Sequence, residues 1–290
     1  MGTYINPGNT AFMEIADADY VDKTGLISLL NSTIGRKNKL TCVSRPRRFG
    51  KSFAAKMLSA YYDCSCDSHA LFNGREVSRS EEYETNLNQF NVIYLDVAGF
   101  VSEAKLRLKS LREVPEMIEK SIRRDLQQMI CLPEGDHSLN ESLIHFVEKS
   151  GGKKIIFIID EWDAVIREAN GDETAQNAYL NLLRGWFKNG NFTPRAVAAA
   201  YMTGILPIKK DGSQSAISDF KEYSILYPGS FAAYNGFSGE EVEKLCLKHG
   251  MSLDEVRSWY DGYELAGSGS LYNPYSVMSA MEEKNCRSYW

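Results

Sequence analysis

Five consecutive apolar residues, Ile155-Ile156-Phe157-Ile158-Ile159, run directly into Asp160-Glu161. A strand sends successive side chains to opposite faces, so an unbroken apolar run needs both faces covered, which points to a parallel sheet between layers of helices. The run is far short of the ~20 apolar residues that cross a membrane as a helix, and no other stretch approaches that length.

The rest of the chain alternates in the same sense. Segments 40–43, 91–97 and 196–202 read as further buried strands. Between them, helical apolar spacing predicts helices at 22–31, from Phe53 to Tyr61, across 102–130 with a break or kink at Pro115, at 139–149 and at 173–187. The expected fold is α/β: a three-layer sandwich around a mostly parallel sheet. After Ile225-Leu226-Tyr227-Pro228 the strand signals stop, and 239–249, 253–260 and 274–283 read as short helices. This predicts two units, a core over 1–235 and a small helical, lid-like subdomain over 236–290.

The first strand leads through Ser44-Arg45-Pro46-Arg47-Arg48-Phe49 into Gly50-Lys51-Ser52 at a helix start. Such a junction suits phosphate: backbone N–H groups face the anion, Lys51 reaches the β/γ-phosphates, and the Ser52 hydroxyl can ligate Mg²⁺. The first glycine of the usual Gly-x-x-x-x-Gly-Lys-Ser/Thr pattern is replaced by Arg45, so the loop is a degenerate form. Asp160 and Glu161 end another buried strand. At that place Asp160 would hold Mg²⁺ through water, and Glu161 would orient and deprotonate the attacking water. Tyr201-Met202-Thr203-Gly204 closes a third strand, where Thr203 would sense the γ-phosphate or position water. Catalytic roles therefore fall on Glu161, Lys51 and Thr203, and metal ligation on Ser52 and Asp160.

Tyr20-Val21-Asp22-Lys23-Thr24, Arg45-Pro46-Arg47-Arg48-Phe49-Gly50-Lys51-Ser52, Ile158-Ile159-Asp160-Glu161, Thr203-Gly204, Trp259-Tyr260-Asp261-Gly262-Tyr263 and Tyr272-Asn273-Pro274-Tyr275-Ser276 together resemble the predicted AAA-ATPase-like family of bacteria and archaea. The likeness covers nearly the whole chain. It implies a P-loop NTPase of the additional-strand catalytic-glutamate type with a helical lid, ATP and Mg²⁺ as cofactors, and Arg45 as the loop's usual residue. It also extends the nucleotide-binding stretch to Arg45, Pro46, Arg47, Arg48, Phe49, Gly50, Lys51, Ser52 and Phe53. The implied activity is ATP hydrolysis coupled to a partner or effector domain. A slow nucleotide-dependent switch is the alternative, and a nucleic-acid-processing accessory the lesser one.

Family members often continue into a nuclease-like domain of the PD-(D/E)XK class. Within this chain only accidental matches to its motif occur, at Asp96 with Glu103-Ala104-Lys105 and at Glu282-Glu283-Lys284, so any such domain is expected outside it. A formal charge of −5 gives no global field for nucleic acid or an anionic membrane. Arg45, Arg47 and Arg48 are instead expected to neutralise nucleotide charge or to pair with the Asp17/Asp19/Asp22 segment. Arg167, Arg184 and Arg195 are candidate arginine fingers, none favoured by spacing. Six scattered cysteines, with Cys64-Ser65-Cys66 the one close pair, suit a reducing cytoplasm. His69, His137, His145 and His249 stand apart from one another, which offers no metal site. The aromatics Trp259, Tyr260, Tyr263, Tyr272 and Tyr275 read as lid core, with Tyr260 or Tyr263 also placed to stack on adenine.

Overall fold

Every strand of the main sheet runs the same way, which gathers all their carboxyl ends on one edge. The computed structural model describes residues 1–16, 19–132, 135, 137–208, 217–265 and 269–289. The strands are β1 (Leu40–Ser44), β2 (Asn91–Asp96), β3 (Ile155–Asp160), β4 (Val197–Gly204) and β5 (Lys221–Tyr223), in the order β2-β3-β4-β1-β5. All four pairings are parallel. The strand β4 thus separates the loop-bearing strand from the acidic one. The helices that carry the argument are α1 (Gly25–Asn31), α2 (Lys51–Tyr62), α3 (Val97–Leu106), α4 (Val114–Met129), α5 (Leu139–Lys149), α6 (Ala164–Glu168), α7 (Glu173–Phe187), α8 (Gly239–His249), α9 (Leu253–Tyr260) and α10 (Pro274–Glu283).

The apolar run of β3 shows why the sheet must be central. Ile155, Phe157 and Ile159 enter a core with Ile118, Leu143, Leu183 and Trp186 from α4, α5 and α7. Ile156 and Ile158 face the other way, into a core with Leu26 and Ile27 of α1 and Ala55 and Leu58 of α2. Alternation along one strand therefore feeds two cores, the arrangement expected of a sheet covered on both faces. Among the described residues no helix is long and apolar enough to cross a membrane.

Two expectations are adjusted. The break expected at Pro115 within 102–130 falls ahead of it: α3 ends at Leu106, and Pro115 sits in the first turn of α4, where its missing N–H costs nothing. The second correction concerns the end of the chain, where strands do not stop after 228. Three more form an antiparallel sheet in the order β6-β8-β7, from β6 (Phe237–Ser238), β7 (Asp261–Leu265) and β8 (Gly269–Tyr272). Together with β5 they are too short, and too rich in Lys, Glu, Asp and Gly, to show a period of two. The helices α8, α9 and α10 fall at 239–249, 253–260 and 274–283 as read from spacing, and with this sheet they enclose a separate core of Val242, Leu245, Val256, Tyr272, Val277 and Met281.

Candidate functional site

The junction of β1 with α2 is built to leave hydrogen-bond donors free. Gly50, the residue before the helix, is left-handed at φ 78°, and no side chain caps the helix N-terminus. A Cβ at Gly50 would meet nothing within 4 Å, so the space before the helix is open. The first turn of a helix has no internal partners for its N–H groups, and here no side chain caps them.

Lys51 folds back over the loop. Its Nζ donates to the carbonyls of Arg45 at 3.0 Å and Pro46 at 2.8 Å. Burial lowers its pKa, while Asp160, Glu161 and Asp163 pull it back up. An ammonium has three protons to donate, so two carbonyls leave the charge without an anionic hydrogen-bond partner.

Across the sheet edge, Asp160 is 4% exposed. One residue beyond the Ile159–Met202 pair of β3 and β4, it accepts a hydrogen bond at Oδ1 from the Thr203 hydroxyl. The backbone N–H of Glu161 donates to the same oxygen at 3.1 Å. Burial raises the Asp160 pKa, the Ser52 and Thr203 hydroxyls lower it, and Asp96 and Glu161 raise it further. Ser52, Asp160 and Thr203, predicted separately from three elements, therefore meet at one point beside Lys51. Hard oxygen donors of this kind suit Mg²⁺, which takes few protein ligands and keeps several waters.

Glu161 lies next to this point but is engaged. Its Oε2 accepts from Arg167 Nη2 at 2.6 Å, and Arg167 Nε also reaches Asp163 Oδ2 at 3.1 Å. Asp163, fully buried, accepts from the N–H groups of Ile205 and Leu206 just after β4. Glu161 itself holds a left-handed backbone at φ 50°. Arg167, a finger candidate by sequence, is thus a partner of Glu161 and Asp163, and the i, i+4 spacing of Asp163 and Arg167 is the signal in the sequence that marks the pair. Asp96, an accidental match to a nuclease motif by sequence, ends β2 in register with Asp160.

The remaining loop residues do not all face the opening. Arg45 is buried, and its Nη1 donates to the carbonyls of Ser44 and Tyr223, both at 2.9 Å. Phe49 is buried as well, while Arg47, Arg48 and Phe53 are exposed and Pro46 is half-buried. The acids proposed as partners of these arginines are occupied elsewhere. Asp22 accepts from Thr24 and from the Glu76 N–H, and Asp19 pairs with Lys248 and His249. Asp17 lies outside the described residues.

Arg195 pairs with Glu148 at the surface, and Arg184 is exposed. Burial raises the pKa of both Cys64 and Cys66, which disfavours thiolate chemistry. No group of three or more His, Cys, Asp or Glu able to hold a metal occurs among the described residues. Of the expected lid-core aromatics, Tyr272 is buried, whereas Trp259 and Tyr275 are about half exposed. Tyr260 bonds the backbone of Arg287.

A five-stranded parallel sheet flanked by helices, with a glycine-lysine-serine loop and a buried acid at its carboxyl edge, defines a P-loop-like α/β domain. The chain belongs to the AAA-ATPase-like family, described as predicted AAA-ATPases, whose model matches residues 8–213. It is also similar to an uncharacterized protein in the vnfD 5′ region of Azotobacter chroococcum mcd 1, with 23% identity over 288 residues. That alignment takes in 98% of this chain and 52% of the relative, so the chain spans about half the relative's length. The family's description is what supports a nucleotide-binding ATPase reading of the site.

Proposed function

We propose that the chain binds ATP with Mg²⁺ and hydrolyses it, as a P-loop ATPase of the additional-strand, catalytic-glutamate type whose nucleotide state is passed to a partner or effector domain. The observation that carries this reading is Lys51, a buried ammonium beside uncapped helix N–H groups and within the field of Asp160. Lys51 exchanges its loop carbonyls for phosphate oxygens. Gly50 and the first turn of α2 supply backbone donors to the same anion. Ser52 and Asp160 hold Mg²⁺, which when bound neutralises charge developing on the phosphates. Thr203 keeps Asp160 oriented and stands where a water or γ-phosphate oxygen is met. Glu161 takes the proton of the attacking water.

Lys51→Ala is the test. Titration of a fluorescent ATP analogue should show binding weaker by roughly 10–100-fold, the equivalent of the ~1.5–3 kcal/mol carried by a hydrogen bond to a charged group. Unchanged affinity would remove the phosphate-loop assignment.

A second reading has its own observation. Glu161 is paired with Arg167 at 2.6 Å, so its carboxylate is already committed. On this reading the chain holds nucleotide and turns over slowly, as a switch. Release of phosphate by purified protein with Mg²⁺-ATP, with and without DNA, separates the two: turnover supports the enzyme, and tight binding without turnover supports the switch.

A further inference from the structure

The phosphate loop contains two left-handed residues within three positions, Arg48 at φ 68° and Gly50 at φ 78°. Glycine takes that conformation freely. A residue with a Cβ does not, and it persists there only where its surroundings over-determine it. For Arg48 those surroundings come from the far end of the chain. Its guanidinium lies over the Tyr275 ring, 4.2 Å from the centroid, and its Nη1 donates to the Tyr289 carbonyl. Tyr275 is held in the first turn of α10, which starts at Pro274 and is capped by Asn273. The next loop residue, Phe49, is buried in a small cluster with Ala232 and with Leu271 of β8. Arg45, standing where the usual loop has its first glycine, is pinned in turn to the Tyr223 carbonyl of β5. This loop is shaped by side-chain anchors where the ordinary one relies on an additional glycine.

We propose that Tyr275 is a positioning residue of the phosphate site: its ring holds Arg48 in the left-handed conformation that turns Gly50 and the first N–H groups of α2 toward the phosphates. The proposal rests on the reading of this loop as a nucleotide site. It accounts for the aromatic in the Tyr272-Asn273-Pro274-Tyr275-Ser276 motif, which the chemistry of the site does not otherwise use. It also gives Arg48 a role apart from direct contact with nucleotide.

The test uses the full chain, a fluorescent ATP analogue with Mg²⁺, and a thermal melt of each variant. Tyr275→Leu keeps apolar bulk and removes the π face; binding should weaken roughly 10-fold, the order set by the cost of an unsupported left-handed residue. Tyr275→Phe keeps the ring and should bind like the unmodified protein. Arg48→Ala and Arg48→Gly both lose the guanidinium and differ in the Cβ, so Ala should bind about 10-fold more weakly than Gly. In the Arg48→Gly background, Tyr275→Leu should have no further effect on affinity. Any of three results overturns the proposal: equal affinity of the two Arg48 variants, the same loss from Tyr275→Leu in both backgrounds, or abolished binding in Arg48→Gly, which would make the guanidinium itself the ligand. The Arg48 pair stands even if Tyr275→Leu fails to fold. Failure of the underlying reading looks different, because Lys51→Ala would then bind the analogue as well as the unmodified protein does.

Discussion

Lys51 and Asp160 are both buried at the candidate site, and Asp160 helps to offset the burial of the lysine. Desolvation dominates at both, lowering the lysine and raising the aspartate. For Asp160 the consequence has a definite sign. A raised pKa means that the native chain binds a proton over a range where the unfolded chain has released it, so stability falls as pH rises from the ordinary carboxylate range through the raised value. Asp160→Asn keeps an acceptor for the Thr203 hydroxyl and removes the buried charge. It should melt higher than the unmodified protein at pH 7, by about 2–4 °C for each kcal/mol recovered, and the gap should close as pH falls toward 4. Differential scanning calorimetry at the two pH values checks this, and a gap independent of pH would count against it. Glu161 makes a separate prediction at the same scale. Glu161→Gln should retain Mg²⁺-ATP in the titration and lose turnover by the ~10²–10⁴-fold that general-base catalysis supplies. Wild-type phosphate release from this variant would take Glu161 out of the mechanism. Lys51, Ser52, Asp160, Glu161 and Thr203 were legible in the sequence because each ends a strand or begins a helix with a recognisable pattern. The i, i+4 spacing of Asp163 and Arg167 was readable, but the bonds from Asp163 to the residues after β4 were not, because they depend on tertiary register.

At the scale of elements, the site depends on two strand ends kept in step. The N–H of Trp162 donates to the Thr203 carbonyl at 2.9 Å, and Asp163 ties the turn after β3 to the residues after β4. Gly204 explains itself here. A Cβ on it would fall 2.6 Å from Trp162 Nε1 and 2.9 Å from Asp163 Oδ1, and both residues are fully buried. Gly204→Ala should therefore destabilise the fold by about 1–3 kcal/mol, the usual effect of overpacking, and should separate Thr203 from Asp160. Urea melts report the first effect. The second should appear as weakened binding of Mg²⁺-ATP relative to metal-free ATP. Ordinary stability with unaltered metal dependence would show that the turn has slack. The elements themselves were largely readable: α5 and α7 fall where spacing put them, and β1, β3 and β4 lie within two residues of their predicted limits. The missed strands, β5 to β8, are two to five residues long and mostly at edges, where hydrogen bonding to a neighbour decides the structure more than local pattern does.

Across the whole molecule, the segment from 236 onward is tied to the core at both ends of the phosphate loop's surroundings. Lys23 pairs with Glu241 of α8 at 2.6 Å and also donates to the Ala233 carbonyl; Asp19 pairs with Lys248 and His249. Val21 packs against the C-terminal core. The Tyr20-Val21-Asp22-Lys23-Thr24 motif thus packs against the elements from 236 onward, while Arg48 and Phe49 bring the loop to the same elements. Linkage then runs both ways: a docked unit that favours the binding shape of the loop must be docked more firmly when nucleotide is bound. Exposed ion pairs contribute little to holding such a contact, but a half-buried one such as Lys23–Glu241 and the burial of Phe49 give it a defined seat. Hydrogen exchange should accordingly show amides of α8, α9 and α10 gaining protection when Mg²⁺ and a non-hydrolysable ATP analogue are added, beyond the change in the loop around Gly50. In Lys51→Ala the gain should vanish at the same ligand concentration. If protection rises around Gly50 alone while α8 to α10 exchange identically in both states, the segment from 236 onward is static scaffold and the proposed transmission through it fails.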